Sequence, residues 1–553
     1  MSNNSFWLLL QKMRAPFIVI VLTHTIAIAG LVSLNGVTAD GEPYKMTIFD
    51  AFYFISYTAT TIGFGETPYS FTYPQRMWVS ASIYITVIGW FYGIGSLIST
   101  LQDKLLIQEI AKTRFRKKVR NIREDFFIIL GYNNVTKKII GKVLARGYRV
   151  VVIEKNTERV NELILENYVP NIPVLQADIY DPNALELAGI KSRYCKGLVS
   201  LFEDDNLNLK IALTAKILNQ SIPLAIKSTT NNHTENLQDL GVEIIENPFN
   251  IISNHIQMLL NAPTLYQVTK WVYRIGDLHT SIFTLPKGLY IICGYGRMGK
   301  QIHQVLANNN LPVEFIEIDN KIGTALTKEE LKKVIFANAD DKEVLKNAKI
   351  EEAVAIIAGT NDDTTNLSLL ATARKINPHI VTIARENEIE NLSLFHYANI
   401  HYIFMPSRLL IHKTINALIH PMADKFLELI STKDEQWAQE LAQSLREEIG
   451  PNPDIFDIKI TENDAYAIAK KINSKEAIYL DTLLRSRANH HEYNRIKPLL
   501  LWRNKKSYLL PQPQIELQLD DEILFACNGE AIEDIEYIAQ NDYELEYILK
   551  ATI

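Results

Sequence analysis

Two membrane-spanning helices, two α/β domains in tandem and a small α+β tail are the architecture predicted by this 553-residue sequence. Three observations carry that expectation. Two long apolar stretches near the N-terminus lack charge, β-branched runs alternate with helical patterns beyond them, and that alternation occurs twice at a nearly constant offset. The first pattern belongs to helices in a bilayer, and the second to parallel sheets covered by crossover helices. The length suggests roughly three or four domains, and 47% hydrophobic with 22% charged residues suits globular protein outside the spans.

Ala15 to Ala39 carries no formal charge, and Met77 to Gln102 contains no Lys, Arg, Asp or Glu. Each exceeds the roughly 20 helical residues that cross a hydrocarbon core. The first is long for the apolar part of a secretory signal and lacks a small-residue cleavage site, so it is expected to remain as a mature span. Lys12 and Arg14 precede it, and Lys104, Lys112, Arg114, Arg116, Lys117, Lys118, Arg120 and Arg123 follow the second span. Between the spans only Lys45 and Arg76 are basic, against Asp40, Glu42, Asp50 and Glu66. Positive charge is retained on the cytoplasmic side, so both termini are expected there and Asp40–Arg76 outside. The prediction is a multi-pass protein of the plasma or inner membrane, with the lipid bilayer as a partner. A net charge of −6 argues against a nucleic-acid partner. The basic linker reads as a juxtamembrane segment facing anionic lipid or as a solvated helix. Cys195, Cys293 and Cys527 show no metal or disulfide spacing and fit a reducing compartment.

Between the spans, Asp40-Gly41-Glu42-Pro43 reads as a turn. Thr47 to Thr60 is apolar and aromatic but too short to cross, and it meets Thr61-Ile62-Gly63-Phe64-Gly65-Glu66. A short helix followed by a glycine-punctuated return is a re-entrant loop, which survives at membrane depth only where it is buried in protein or lines a watery path. Alternate glycines permit torsions that point successive carbonyls one way, and rings of such carbonyls replace the hydration shell of a potassium ion. Thr61, Ile62, Gly63 and Phe64 are the expected carbonyl donors, and Glu66 is expected at the outer mouth. In this order of span, short helix, Thr61–Glu66 and span, the segment resembles the two-span potassium-channel family. It departs from the commoner family pattern in having Phe64 for Tyr and Glu66 for Asp. A carbonyl cage needs four such loops, so the resemblance implies a homotetramer. Gly89, Gly93 and Gly95 in the second span are candidates for a gating hinge or for close packing.

The cytoplasmic part is duplicated. Ala177–Asp181 with Leu185, Ala188 and Ile190 parallels Ala337–Asp341 with Leu345, Ala348 and Ile350, each 160 residues on. Asp204, Asn208, Lys227, Pro248 and Pro263 pair with Asp362, Asn366, Arg385, Pro406 and Pro421, each 158 residues on. Such an offset marks an internal repeat. In the second copy Gly294-x-Gly296-x-x-Gly299 follows the apolar strand Leu289–Cys293, precedes a helical pattern, and has Asp319 beyond it. That context is the Rossmann-like dinucleotide fingerprint, in which glycines let the backbone approach a pyrophosphate at a helix N-terminus and an acid takes ribose hydroxyls. The expected site is Gly294, Tyr295, Gly296, Arg297, Met298, Gly299, Asp319, Asn320, Asn338 and Arg385. In the first copy Gly131-Tyr-Asn133-Asn134-Val-Thr136 replaces the later glycines. Its weaker candidates are Gly131, Asn133, Asn134, Glu154 and Asp178.

The duplicated unit resembles the RCK domain, also called KTN or TrkA-N, over about Arg123 to Pro421. The expected boundaries are a cytoplasmic N-terminus (1–15), a pore domain (16–102), a linker (103–124), a first RCK domain (125–285) and a second (286–553). A C-terminal α+β subdomain is expected from about 436. The resemblance implies a gating ring of such domains that acts on the inner helices, with NAD or another adenine nucleotide as ligand beside the conducted potassium ion. Relatives sense calcium through carboxylates, for which Asp204, Asp205, Asp362 and Asp363 are the nearest candidates. The expected function is a ligand-gated potassium channel, not an enzyme. A membrane-anchored NAD-dependent oxidoreductase and a regulatory subunit of a potassium transporter are the alternatives.

Overall fold

The computed structural model describes residues 3–279, 282–320, 331 and 333–550. The chain divides into two compact units at Arg123 and Glu124.

In the first unit α1 (Asn3–Ser33) leads through a small antiparallel hairpin, β1 (Asn35–Val37) and β2 (Pro43–Lys45), to α2 (Ile48–Ala59). Then come α3 (Tyr73–Leu101) and α4 (Lys104–Arg120). Gln11–Ser33 and Tyr73–Leu101 are long and apolar enough to cross a membrane, with mean hydropathies of 2.2 and 1.6. Many of their large apolar side chains, such as Phe17, Leu22, Tyr84 and Ile88, are exposed in the single chain. The short α2 is held inside by Ala51, Phe54, Ile55 and Tyr57, which pack with Leu31 of α1 and with Phe71. Thr47 caps it by accepting from the Asp50 amide at 3.1 Å, satisfying one of the orphan donors at a helix start.

The second unit repeats one plan. The first sheet comprises β3 (Phe126–Leu130), β4 (Arg149–Glu154), β5 (Val174–Gln176), β6 (Cys195–Ser200), β7 (Leu224–Lys227) and β8 (Ile244–Glu246), in the order β5-β4-β3-β6-β7-β8. The second comprises β9 (Tyr290–Cys293), β10 (Val313–Glu317), β11 (Val334–Phe336), β12 (Ala355–Ala358), β13 (Val381–Arg385) and β14 (Tyr402–Phe404), in the matching order β11-β10-β9-β12-β13-β14. The central strands pair in parallel, and β3, β9 and β12 are buried along their whole length. A parallel strand covered on both faces must be apolar throughout, which is why Phe126–Leu130 shows no alternation. The predicted fold class is the one observed: two apolar helices followed by tandem Rossmann-like parallel sheets.

Each copy ends in two helices that begin at prolines, Pro248–Asn261 with Pro263–Val272 and Pro406–Ile419 with Pro421–Ile430. Proline suits the first helical position because its missing N–H would be orphaned there anyway. These helices are exchanged. Pro248–Asn261 packs on the Arg297–Asn308 helix of the second copy, and Pro406–Ile419 packs on the Asn134–Ala145 helix of the first. A four-stranded antiparallel sheet, β15 (Asp454–Lys459), β18 (Glu522–Cys527), β16 (Ile496–Arg503) and β17 (Lys506–Leu509), follows in that spatial order. Leu500 and Leu524 of that sheet share one core with Trp271, Phe426 and Leu441.

Candidate ion-selectivity loop and nucleotide pocket

The loop after α2 has an alternating backbone. Thr61, Gly63 and Gly65 take φ values of 63°, 68° and 101°, while the residues between them are not left-handed. Positive φ costs glycine little, but for a β-branched residue such as Thr61 it is strained, and such strain collects at functional sites. The Ile62 amide donates to the Tyr57 carbonyl at 2.9 Å, tying the loop to the end of α2. The Tyr57 hydroxyl donates to the Gly65 carbonyl and lies 3.0 Å from the Thr67 hydroxyl. Glu66 accepts from the Phe71 amide at 2.7 Å and from Arg76 Nε at 2.9 Å, so it is fastened beside the loop. Thr61, Ile62, Gly63, Phe64, Gly65 and Glu66 are all exposed. The three helix glycines differ from one another. A Cβ on Gly89 would meet Thr23 Oγ1 at 2.8 Å and one on Gly93 would collide with Ile20, whereas Gly95 faces open space. Gly89 and Gly93 are therefore sites of close approach between α3 and α1.

In the second sheet, chain order reverses on either side of β9, and open α/β sheets bind ligands at such a point. A cavity of about 710 Å³ lies there, within the usual range for ligand pockets. Of the sequence-predicted residues, Gly294, Gly296, Arg297, Met298, Asp319, Asn338 and Arg385 line it, whereas Tyr295, Gly299 and Asn320 do not. The glycines act differently. Gly294 turns at φ 96°, with a would-be Cβ 3.0 Å from the Gly359 carbonyl. A Cβ on Gly299 would collide with the Gly294 carbonyl, while one on Gly296 would meet nothing. Gly299 therefore lets the helix pack on the turn, and Gly296 leaves the space in front of it open.

The Arg297–Asn308 helix starts with no side-chain cap and no acid in its first turn, so its N-terminal amides face the cavity unblocked. The carboxylate at the strand end is Glu317, two residues before Asp319. It accepts from the Tyr295 amide at 2.6 Å and the Asp319 amide at 3.0 Å, which locks the turn. Arg385 donates to Asn361 at 3.0 Å while its buried Nε has no hydrogen-bond partner. Burial, with Arg297 nearby, pulls its pKa below the ordinary arginine value. Phe249, from the first copy's Pro248–Asn261 helix, forms part of the same wall, and the Arg297 guanidinium lies 4.9 Å above its ring. Sequence reasoning missed Phe249, Glu317, Thr360 and Asn361 and named Asp362 only as a candidate calcium ligand; all of them line the pocket.

A family model for the TrkA-N domain matches residues 127–248 and again 290–406. The chain carries two TrkA-N domains. Probable potassium channel protein 2 of Methanocaldococcus jannaschii is 37% identical over 139 residues, 24% of this chain and 39% of that protein. Potassium channel protein 1 of the same organism is 36% identical over 104 residues, 19% and 31% of the two chains. The chain thus spans less than half the length of these curated relatives. The solved GsuK channel bound to NAD aligns over 96% of this chain and 99% of that one at 15% identity, with a TM-score of 0.48.

The first TrkA-N domain caps the corresponding helix start with its own side chains. Asn133 accepts from the Val135 and Thr136 amides at 2.9 and 3.0 Å, and the Thr136 hydroxyl accepts from the Asn133 amide at 2.8 Å. This reciprocal cap uses the donors that a phosphate needs. A Cβ on Gly131 would lie 2.6 Å from Phe202, so that ring sits against the turn. Glu154 mirrors Glu317, accepting from the Tyr132 and Asn156 amides at 2.6 and 2.7 Å. Asn134 donates to Glu390 at 2.9 Å, and Asp178 pairs with Lys155 at 2.9 Å.

The candidate calcium ligands are engaged as caps and loop anchors. Asp204 and Asp362 cap the Asp205–Leu218 and Asp363–Ile376 helices. Asp205 accepts from the Thr229 amide at 2.9 Å, and Asp363 from the Asn387 and Glu388 amides at 2.8 and 3.1 Å. Among the described residues, no three His, Cys, Asp or Glu side chains are grouped to hold a metal ion directly.

Proposed function

We propose that four copies of this chain form a potassium-selective channel whose opening is governed by an adenine nucleotide in the second TrkA-N domain. The observation that carries this reading is the alternation of left-handed backbone at Thr61, Gly63 and Gly65 between two membrane-length helices. With its neighbours supplied by symmetry, that backbone turns the carbonyls of Thr61–Phe64 towards a common axis, where they replace the water around a potassium ion. Tyr57 and the Glu66–Arg76 pair hold the loop at the width that dehydration requires. The names of the two archaeal relatives support the same reading.

The nucleotide's pyrophosphate would lie at the open start of the Arg297–Asn308 helix, with Gly296 permitting approach and Arg297 and Arg385 supplying positive charge. Asp319, whose amide is pinned to Glu317, would take ribose hydroxyls. A ligand shifts a conformational equilibrium only by binding the two states with different affinity. Phe249 gives this pocket a part in that difference, because it carries a wall of the second domain's site on a helix of the first. The short covalent link from α4 to β3 would carry the change to the spans.

The test is purified full-length protein in planar bilayers with potassium and sodium on opposite sides, and NAD or ADP added to the domain side. A reversal potential near that for potassium, with an open fraction that responds to nucleotide, is the expected result. A non-selective reversal potential, or NADH turnover without conductance, overturns the reading.

A further inference from the structure

Positive charge crowds the seam where the exchanged Pro406–Ile419 helix lies on the Asn134–Ala145 helix of the first TrkA-N domain. Lys138 and Lys142 are four residues apart on one helix, and Arg408 and His412 four apart on the other, so each pair shares a face. Lys142 Nζ lies 3.5 Å from His412 Nδ1, which sets the two rows opposite each other. The twin seam, between Pro248–Asn261 and Arg297–Asn308, is built differently. Gln301 and Val305 stand 163 residues on from the two lysines, and Asn250 and Asn254 stand 158 back from Arg408 and His412. None of those four carries charge, so the fold itself does not ask for cations here.

Among the described residues, none of Lys138, Lys142 and Arg408 is ion-paired to a carboxylate. Lys142 meets the imidazole, and Arg408 Nη1 approaches Met405 Sδ at 4.0 Å. Burial, with Lys142 and Arg408 nearby, pulls His412 down to about 4, so it is neutral near pH 7. Burial, then Arg408 and Lys138, holds Lys142 below the ordinary lysine value, as like charges kept together must. Of the acids close by, Glu390 accepts from Asn134 at 2.9 Å. Glu386 stands beside the start of Pro406–Ile419, its amide donating to the Phe404 carbonyl at 2.9 Å. It is 4% exposed and its Oε1 has no hydrogen-bond partner. Burial, with Asp363 adding to it, lifts Glu386 to about 7, so near neutrality it carries a proton that it can donate. The helix start beside it has no side-chain cap and no acid in its first turn, which leaves the Ser407 and Arg408 amides open as well. Donors and positive charge are thus gathered at one place with too little negative charge to match them.

We propose that this seam binds one small anion of the phosphate or pyrophosphate class, held by Lys138, Lys142 and Arg408 and by the open amides that begin Pro406–Ile419. The ammonium and guanidinium groups make charge-assisted bonds to its oxygens, and Glu386 donates its proton to another. None of these side chains lines the nucleotide pocket, so the two ligands bind side by side. The anion turns repulsion across the seam into attraction, and so fastens the second domain's exchanged helix to the first domain.

The experiment is isothermal titration of the full-length chain with pyrophosphate, in uncharged detergent and metal-free buffer, at saturating NAD and constant ionic strength. Thermal unfolding of the same preparations runs beside it. The expected result is one pyrophosphate per chain and a rise in the unfolding midpoint. Lys142→Gln and Arg408→Gln should each weaken binding by about 10- to 100-fold, the loss of one hydrogen bond to a charged group. Without the anion, Lys142→Gln should unfold at or above the wild-type midpoint, because it removes one of the crowded charges. If one variant does not fold, the other decides the matter. No uptake at millimolar pyrophosphate, uptake seen only when NAD is left out, or wild-type affinity in both variants overturns the proposal.

Discussion

Replacing Gly296 with Val separates ligand binding from folding, because the structure gives this glycine no packing role. Its φ of −72° is open to any L-residue, and a Cβ there meets no atom within 4 Å. The new side chain would occupy only the approach to the uncapped amides of the Arg297–Asn308 helix. A hydrogen bond to a charged phosphate contributes about 1.5–3 kcal/mol. Losing one or two of them predicts a penalty of about 2–3 kcal/mol, a roughly 30- to 150-fold rise in Kd. Gly299→Ala is the counterpart: its Cβ collides with the Gly294 carbonyl, and forced overpacking of this kind costs about 1–3 kcal/mol in stability. Isothermal titration with NAD and with ADP, beside thermal unfolding of the same preparations, reads both quantities. Gly296→Val should lose affinity with only a small fall in midpoint, as valine caps a helix less well than glycine, and Gly299→Ala should lower the midpoint more. Wild-type nucleotide affinity in Gly296→Val would refute the assignment of this turn to phosphate.

Three further outcomes are expected. Tyr57→Phe removes the hydroxyl that meets the Gly65 carbonyl and Thr67, each bond contributing about 1 kcal/mol; the potassium-over-sodium permeability ratio from reversal potentials should fall, and an unchanged ratio would deny the tyrosine its role in holding the loop. Asn133→Ala removes the reciprocal cap of the first TrkA-N domain and should cost about 1 kcal/mol in stability while leaving NAD affinity intact; a fall in affinity to match Gly296→Val would place a ligand in that domain as well. Burial raises Glu246 from 4.5 to about 7, so the folded chain holds its proton more tightly than the unfolded chain. The stabilisation is complete below pH 4.5 and fades as pH rises through 7, by about 3 kcal/mol at most; in metal-free buffer, urea unfolding of Glu246→Gln should show a flatter dependence over that window, and an identical slope would count against the shift.

Much of this fold was legible because its signals are local. The charge-free spans, the β-branched strands and the paired prolines each report on their own surroundings, and the repeat multiplied them. The candidate site was legible only where the chain comes back on itself within a few residues, as at Gly294–Gly299. Asp319 drew attention as the acid beyond the glycines, but strand β10 ends at Glu317, and it is that carboxylate which holds the turn. A signal was present: 163 residues separate Gly131 from Gly294 and also Glu154 from Glu317. Aligned on the first glycine, the copies match glutamate with glutamate and leave Asp319 opposite Asn156. Phe249 carried no comparable signal, because its place in the pocket depends on a helix exchanged between copies. The paired aspartates are an ambiguous signal for a physical reason: an acid before a helix is chosen by the helix's amides as readily as by any ion.

The exchange of the proline-led helices has a consequence for anyone who wishes to take this molecule apart. Severing the chain between Val272 and Tyr290 would strip the second nucleotide fold of Phe249 and expose the side of its first helix that Pro248–Asn261 covers. The leading fragment would in turn leave behind the helix that shields Asn134–Ala145. Each piece would be sticky where the other used to lie. The two should be recovered in folded form only when produced together, as complementary fragments.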